Sequence, residues 1–271
     1  GRTNSFCTID SNDFNVIIKE CEKKECYDLS KLDTSQITNM QEIFKYSMFN
    51  GDISNWNVSN VTKMKEMFNS AKEFNSVIDN WDMRNIKSTN NMFYNAESFN
   101  QDINSWDTSN IINMGLMFAY AKKFNQDISS WNICNVTSLE SMFYLASKFN
   151  QPIGNWNTSN VTNMSGMFSY AKEFNQPLNN WNVSNVTYMG YMFYNAKSFK
   201  EKYNSGEPLP TNTDDIKDWF NLNRDRMNDI DIKNKYGKEI DNFFSNITDI
   251  YSTNRIGLHE NLLTECNKLC L

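Results

Sequence analysis

The feature that most constrains this chain is a phrase of 25 residues that restarts without a slip. From Phe149 to Glu173 it reads FNQPIGNWNTSNVTNMSGMFSYAKE, and from Phe174 it begins again as FNQPLNNWNVSNVTYMGYMFYNAKS. Trp56, Trp81, Trp106, Trp131, Trp156 and Trp181 stand at this interval, as do Phe74, Phe99, Phe124, Phe149, Phe174 and Phe199. A fixed period of this length means one supersecondary unit stacked on copies of itself. Such a unit cannot cover its apolar side alone, so its neighbours must. The repeat therefore predicts one elongated body, although 271 residues could hold one or two ordinary domains.

Within the unit the apolar columns change period. Ile153, Trp156 and Thr158 belong to columns that are aliphatic, indole and mostly β-forming, and the alternation after Trp156 suits a short strand. Val161, Met164, Met167, Phe168 and Ala171 then lie at offsets 0, 3, 6, 7 and 10, the stripe of an amphipathic helix. Ser159 or Asn160 would cap it. The small column Ala71, Ala96, Ala121, Ala146, Ala171 and Ala196 fits where adjacent helices come closest. The expectation is an α/β solenoid: stacked short parallel strands, each followed by about three turns of helix.

Three polar columns barely change between copies. Asn75, Asn100, Asn125, Asn150 and Asn175 form one, and Asn60, Asn85, Asn110, Asn135, Asn160 and Asn185 another. An amide both donates and accepts, so both columns read as buried ladders that bond the backbone of their own and the next unit. The third column is Asn57, Asp82, Asp107, Asn132, Asn157 and Asn182, on the outward side of the expected strand. It is a candidate partner-binding stripe. With charge only at Asp82 and Asp107 it falls short of a calcium site, which wants several carboxylates. A second candidate surface lies among the outward positions of the expected helices. There Tyr94, Tyr144 and Tyr194 occupy one column and Tyr120 and Tyr170 the next, making a tyrosine band. Tyrosine is favoured in recognition surfaces, and it also packs between neighbours with its hydroxyl in water.

The flanks read as caps. Residues 1–28 form an N-terminal helical cap in which Phe14, Ile17, Ile18 and Cys21 make one apolar stripe. Residues 29–199 are the solenoid, opened by a degenerate unit with Leu32 in the tryptophan column. Residues 200–211, with Pro208 and Pro210, read as a linker. Residues 212–271 read as a helical cap or small bundle. Its helices are marked by Ile216, Trp219 and Phe220, then Ile240, Phe243, Phe244, Ile247, Ile250 and Tyr251, then Leu258, Leu262, Leu263, Cys266 and Leu269.

Composition narrows the function. The net charge of −6 without a basic block argues against a nucleic-acid surface. No apolar run approaches the ~18 residues of a membrane span. Opening at Gly1 without a signal-peptide pattern, the sequence is expected to be a mature or trimmed form. The single histidine, His259, has no catalytic companion, there is no glycine-rich phosphate loop, and the cysteines lack zinc spacing. No enzyme, cofactor or metal is expected. Six cysteines are too few to scaffold the chain. Disulfides among Cys7, Cys21 and Cys26, and between Cys266 and Cys270, would staple the caps, and free thiols are the equal alternative. Cys134 stands where most units have Ser. Glycosylation sequons at Asn57, Asn60, Asn135, Asn157, Asn160, Asn163, Asn182 and Asn185 fall where units must pack, so a glycosylating pathway is not expected and a bacterial product is.

The phrase FNQPLNNWNVSNVTYMGYMF and its period resemble the BspA-like leucine-rich-repeat surface proteins, in the Met/Phe/Trp-rich version of mycoplasma lipoproteins and other bacteria. The resemblance covers about residues 29–199. It implies a right-handed leucine-rich-repeat-like solenoid and a cell-surface or secreted protein engaged in adhesion or host contact, and it carries no catalytic residues. The expected function is therefore non-enzymatic binding of a protein or glycan on a host or neighbouring cell. The alternative is a secreted effector or toxin-neutralising protein whose C-terminal helices carry the activity.

Overall fold

The computed structural model describes residues 11–23 and 28–227. Cys7, Cys26, His259, Cys266, Cys270 and the helices expected beyond residue 227 lie outside the described residues.

The chain enters through helix α1, Ser11–Lys23, close to the span the apolar stripe predicts. Phe14 and Ile18 are buried, and the Phe14 ring meets Trp56 edge-on at 5.3 Å. The helix thus lays its stripe on the first indole of the repeats.

The repeat units differ from the sequence expectation in one main respect: they contain no helix. Residues 29–196 hold turns and single parallel bridges only. The bridges fall seven residues after the tryptophans, as Ser88↔Asn113, Asn113↔Ser138, Ser138↔Asn163 and Asn163↔Tyr188, and not at the expected Trp156–Thr158 strand. From Met164 to Ala171 the backbone is a run of overlapping turns. Met167 N–H donates to the Met164 carbonyl at 3.2 Å, Ser169 to Gly166 at 3.0 Å and Ala171 to Phe168 at 3.0 Å. The amides between these leave the unit. Met164, Gly166, Phe168 and Tyr170 donate to the carbonyls of Tyr188, Gly190, Met192 and Tyr194, 24 residues on, at 2.7 to 2.9 Å.

This alternation explains why the stripe misled. Turns closed every three residues place inward side chains at the same offsets as a helix. A helix would need every amide bonded four residues back, and here every second one serves the next unit. Two residues per unit also have positive φ, Gly166 at 62° and Tyr170 at 58°, with Leu116 and Tyr120, or Ser141 and Leu145, in other units. A left-handed residue every fourth position stops helical propagation.

The inward columns are buried as the pattern predicts. The six repeat tryptophans are at most 4% exposed. Each indole N–H reaches back to a carbonyl 28 residues earlier, or 27 for the first: Trp106 to Ile78, Trp131 to Ile103 and Trp181 to Ile153, each at 3.0 Å. One side chain thus seals two units and satisfies its own polar atom. Burying an indole contributes roughly 4–6 kcal/mol before ordering entropy is set against it. The phenylalanines stack both within and between units: Phe143 lies 3.8 Å from Phe149 and 5.7 Å from Phe168, centroid to centroid.

The asparagine ladders also form, but nearer the surface than expected. Asn125 Oδ1 accepts the Asn150 amide at 2.9 Å, and Asn150 Oδ1 accepts that of Asn175 at 2.9 Å. In the other column Asn160 Nδ2 donates to the Cys134 carbonyl at 2.7 Å and Asn185 Nδ2 to that of Ser159 at 2.7 Å, and both side chains are exposed.

At the far end, helix α2, Lys197–Asn204, buries Phe199 and Tyr203. It takes in residues expected to begin the linker. The chain after it then supplies the rung that a further unit would have given. The Thr211 carbonyl accepts the Tyr191 amide at 2.8 Å and Thr213 Oγ1 that of Met189 at 3.1 Å. Helix α3, residues 213–227, buries Ile216, Phe220 and Met227. Its Arg224 donates to the Trp181 carbonyl at 2.7 Å and its Lys217 to that of Val186 at 2.8 Å.

Candidate binding face

The tyrosine columns become one ladder, set on the left-handed turns and not on helices. Tyr94 meets Tyr120 at 5.3 Å, Tyr120 meets Tyr144 at 5.2 Å, Tyr144 meets Tyr170 at 6.0 Å and Tyr170 meets Tyr194 at 5.5 Å, all edge to face. Edge-to-face contact is a favoured geometry for ring quadrupoles. The alternation between columns has a steric counterpart: beside Tyr120 stands buried Ala119, and beside Tyr170 stands buried Ser169. Tyr94, Tyr120, Tyr144 and Tyr170 are half-buried, while Tyr194 is 42% exposed. The Tyr120 hydroxyl beside Tyr144 pushes the Tyr144 phenol above its ordinary range, so it remains protonated.

Sequence reasoning missed what lies next to this ladder. A groove of about 350 Å³ is lined by Tyr144, Tyr170, Tyr191 and Tyr194 together with Ser141, Ser165, Gly166, Ser169 and Gly190. Tyr191, 58% exposed, meets Tyr194 edge-on at 5.8 Å. The groove lies where two columns shrink. Ser141 and Gly166 occupy a column that carries Glu66, Asn91 and Leu116 in earlier units, and Ser165 and Gly190 one that carries Glu140. The signal was present in the sequence, as glycines where neighbouring units hold larger side chains. Without knowing that these positions face outward, it could not be read.

The Asn/Asp stripe has a local role. Asn57, Asp107, Asn132, Asn157 and Asn182 are exposed and Asp82 is half-buried. Each Oδ1 accepts the amide two residues on: Ser109 to Asp107 at 3.0 Å, Cys134 to Asn132 at 3.1 Å and Ser184 to Asn182 at 3.0 Å, with Ser59, Arg84 and Ser159 doing the same for Asn57, Asp82 and Asn157. These are Asx turns, a structural use of the side chain. The Arg84 guanidinium bonded to Asp82 holds that carboxyl below its usual range, and the Ser109 hydroxyl does the same for Asp107.

Cys21 is half-buried on α1, and its suggested partners lie outside the described residues. The Cys134 carbonyl accepts from Asn160 Nδ2 at 2.7 Å, a main-chain contact that the carbonyls of Ser109 and Arg84 make in the same column. Among the described residues no group of three or more His, Cys, Asp or Glu is placed to hold a metal, and no helix is long and apolar enough to cross a membrane.

The model of one family, described as "Mycoplasma protein of unknown function, DUF285", matches the chain twice, over residues 12–131 and 117–233. The comparison with curated proteins found no match. The two family matches together span 222 of the 271 residues, from α1 through every repeat unit to α3. The chain is thus a repeat protein that belongs to this Mycoplasma DUF285 family.

Proposed function

We propose that this protein is a non-enzymatic binding module of the bacterial surface or of a secreted fraction, built as a solenoid like those of BspA-like repeat proteins. In this reading the stacked units are the scaffold, and the tyrosine ladder with its groove is the face that contacts a protein or glycan on another cell.

The observation that carries the reading is the make-up of the groove. Tyr, Ser and Gly line all of it. Tyrosine offers a large amphipathic contact with few rotatable bonds, and serine and glycine add adaptable hydrogen bonding, the combination used by antibody paratopes. Rings already held edge to face lose little freedom on binding. The Asn/Asp stripe is the weaker candidate, because its oxygens are engaged in turns.

The test is binding of the labelled full chain to intact host cells, followed by flow cytometry. The double variant Tyr170→Ala with Tyr194→Ala should lose most of the signal, and the exposed-site variant Lys87→Ser should keep it. Undiminished binding by the double variant would overturn the assignment of the face.

A further inference from the structure

We infer that the groove takes a neutral, hydroxyl-rich oligosaccharide segment, an inference that rests on the binding face proposed above. The lining holds no charged side chain, in a chain with 26 Lys and Arg and 32 Asp and Glu. A sulfated, sialylated or phosphorylated ligand would find no cation there. A nucleic acid would lack the basic lining it requires.

The main chain of the lining is also largely spent. The Ser141, Gly166 and Tyr191 amides donate to the carbonyls of Ser165, Gly190 and Thr211, and the Ser165 amide donates to Asn163 Oδ1. An extended peptide that docks by adding a strand needs free backbone groups, and these are taken. What the groove offers is the acceptor side of Ser141 and Ser165, whose hydroxyls already donate to the Ser165 carbonyl at 3.5 Å and to Asn163 Oδ1 at 2.7 Å, the hydroxyls of Ser169, Tyr170, Tyr191 and Tyr194, which can donate and accept, and the faces and edges of the tyrosine rings. Those groups suit a ligand whose own surface alternates hydroxyls with C–H faces. The volume of about 350 Å³ lies in the range of small-ligand sites and would hold a short stretch of a longer glycan.

Other units supply the substitutions that test this. Ser165→Glu copies Glu140, and Gly166→Asn copies Asn91, a residue that tolerates positive φ. Both fill the groove with side chains the fold already carries. Tyr194→Phe keeps the ring and removes one hydroxyl.

The experiment probes the full-length chain on an array of neutral, sialylated and sulfated glycans, beside a displayed library of random and proline-rich peptides. The inference expects neutral glycans to be retained. It also expects S165E/G166N to weaken retention by at least about tenfold, and Y194F to weaken it less, with both variants unfolding cooperatively, Y194F at the parent's midpoint and S165E/G166N modestly below it, because a Cβ at position 166 meets Ser141 Oγ at 2.9 Å. No neutral glycan retained, a preference for acidic glycans, or retention indifferent to S165E/G166N would overturn it. Groove-dependent capture of peptides alone would overturn the glycan inference and leave the binding face standing. No groove-dependent capture of either class would remove both.

Discussion

Two buried threonines should respond in opposite ways to the same substitution. Thr89 is fully buried, and its hydroxyl has no partner among the described residues. Its amide is bonded to the Asn113 carbonyl at 3.0 Å, so the backbone is satisfied. Other units place Met64, Met114, Leu139, Met164 or Met189 at this position. Thr158 is equally buried, but its hydroxyl donates to the Asn182 carbonyl at 2.9 Å and accepts the Asn182 amide at 2.8 Å. Valine keeps the β-branched shape and replaces the hydroxyl with a methyl group. A buried unsatisfied polar group costs about 1–3 kcal/mol, and a made hydrogen bond contributes about 1 kcal/mol. Thr89→Val should therefore stabilise by about 1 kcal/mol, and Thr158→Val should destabilise by about 2 kcal/mol. With a urea slope of about 3 kcal/mol per molar, the midpoints should move up by about 0.3 M and down by about 0.7 M. Equilibrium urea unfolding of both variants, followed by tryptophan fluorescence, measures this. Shifts in the same direction would refute the reasoning, because the two sites differ chiefly in what the hydroxyl touches.

Three further perturbations have calculable signs. Asn125→Ala removes the acceptor for the Asn150 amide and for Gln151 Nε2, and should lower stability by about 1–2 kcal/mol in chemical denaturation. Gly166→Ala places an L-residue at a φ of 62° with its Cβ 2.9 Å from Ser141 Oγ, and should cost about 1–2 kcal/mol, with Gly166→Asn costing less. Acid should also weaken the fold. Asp82 and Asp107 titrate below their ordinary 3.8 when folded, so their contribution is complete above that value and disappears as pH falls through the lower folded values. Stability measured against pH should drop below about pH 4. Asp107→Asn should soften that drop by removing one titrating group, keeping the turn that Asn132 and Asn157 already make and giving up the charge-dependent part of the pH 7 stability.

How much could be read in advance depends on which atoms each pattern reports. The 25-residue period reports side chains, and every column of Trp, Phe, Met and Ala it assigned to the interior is buried. Helix α1 was equally legible, since its stripe is long and isolated. The backbone of the unit was not. Offsets of 0, 3, 6, 7 and 10 state which side chains turn inward, and a chain of turns meets them as well as a helix does. What decides between them is where the amides of Gly166, Phe168 and Tyr170 go, and that depends on a neighbouring unit the local sequence does not mention. Left-handed Leu116 and Leu145 are similarly silent, because leucine gives no propensity signal for positive φ. The tyrosine band was visible as alternation between two columns, and the groove beside it only as unusual glycines. The Asn/Asp stripe was placed correctly at the surface in every unit but that of Asp82, which is half-buried. Its partners two residues along were within reach of sequence, since Asx turns are a local motif.

The central claim is that alternate amides of each unit bond the next unit instead of their own. The most direct measurement is NMR coupling across the hydrogen bond from the Phe143 amide nitrogen. The account predicts transfer to the carbonyl carbon of Met167, whose oxygen lies 2.9 Å away. Transfer to the Leu139 carbonyl, four residues back, would restore the helix and contradict the account.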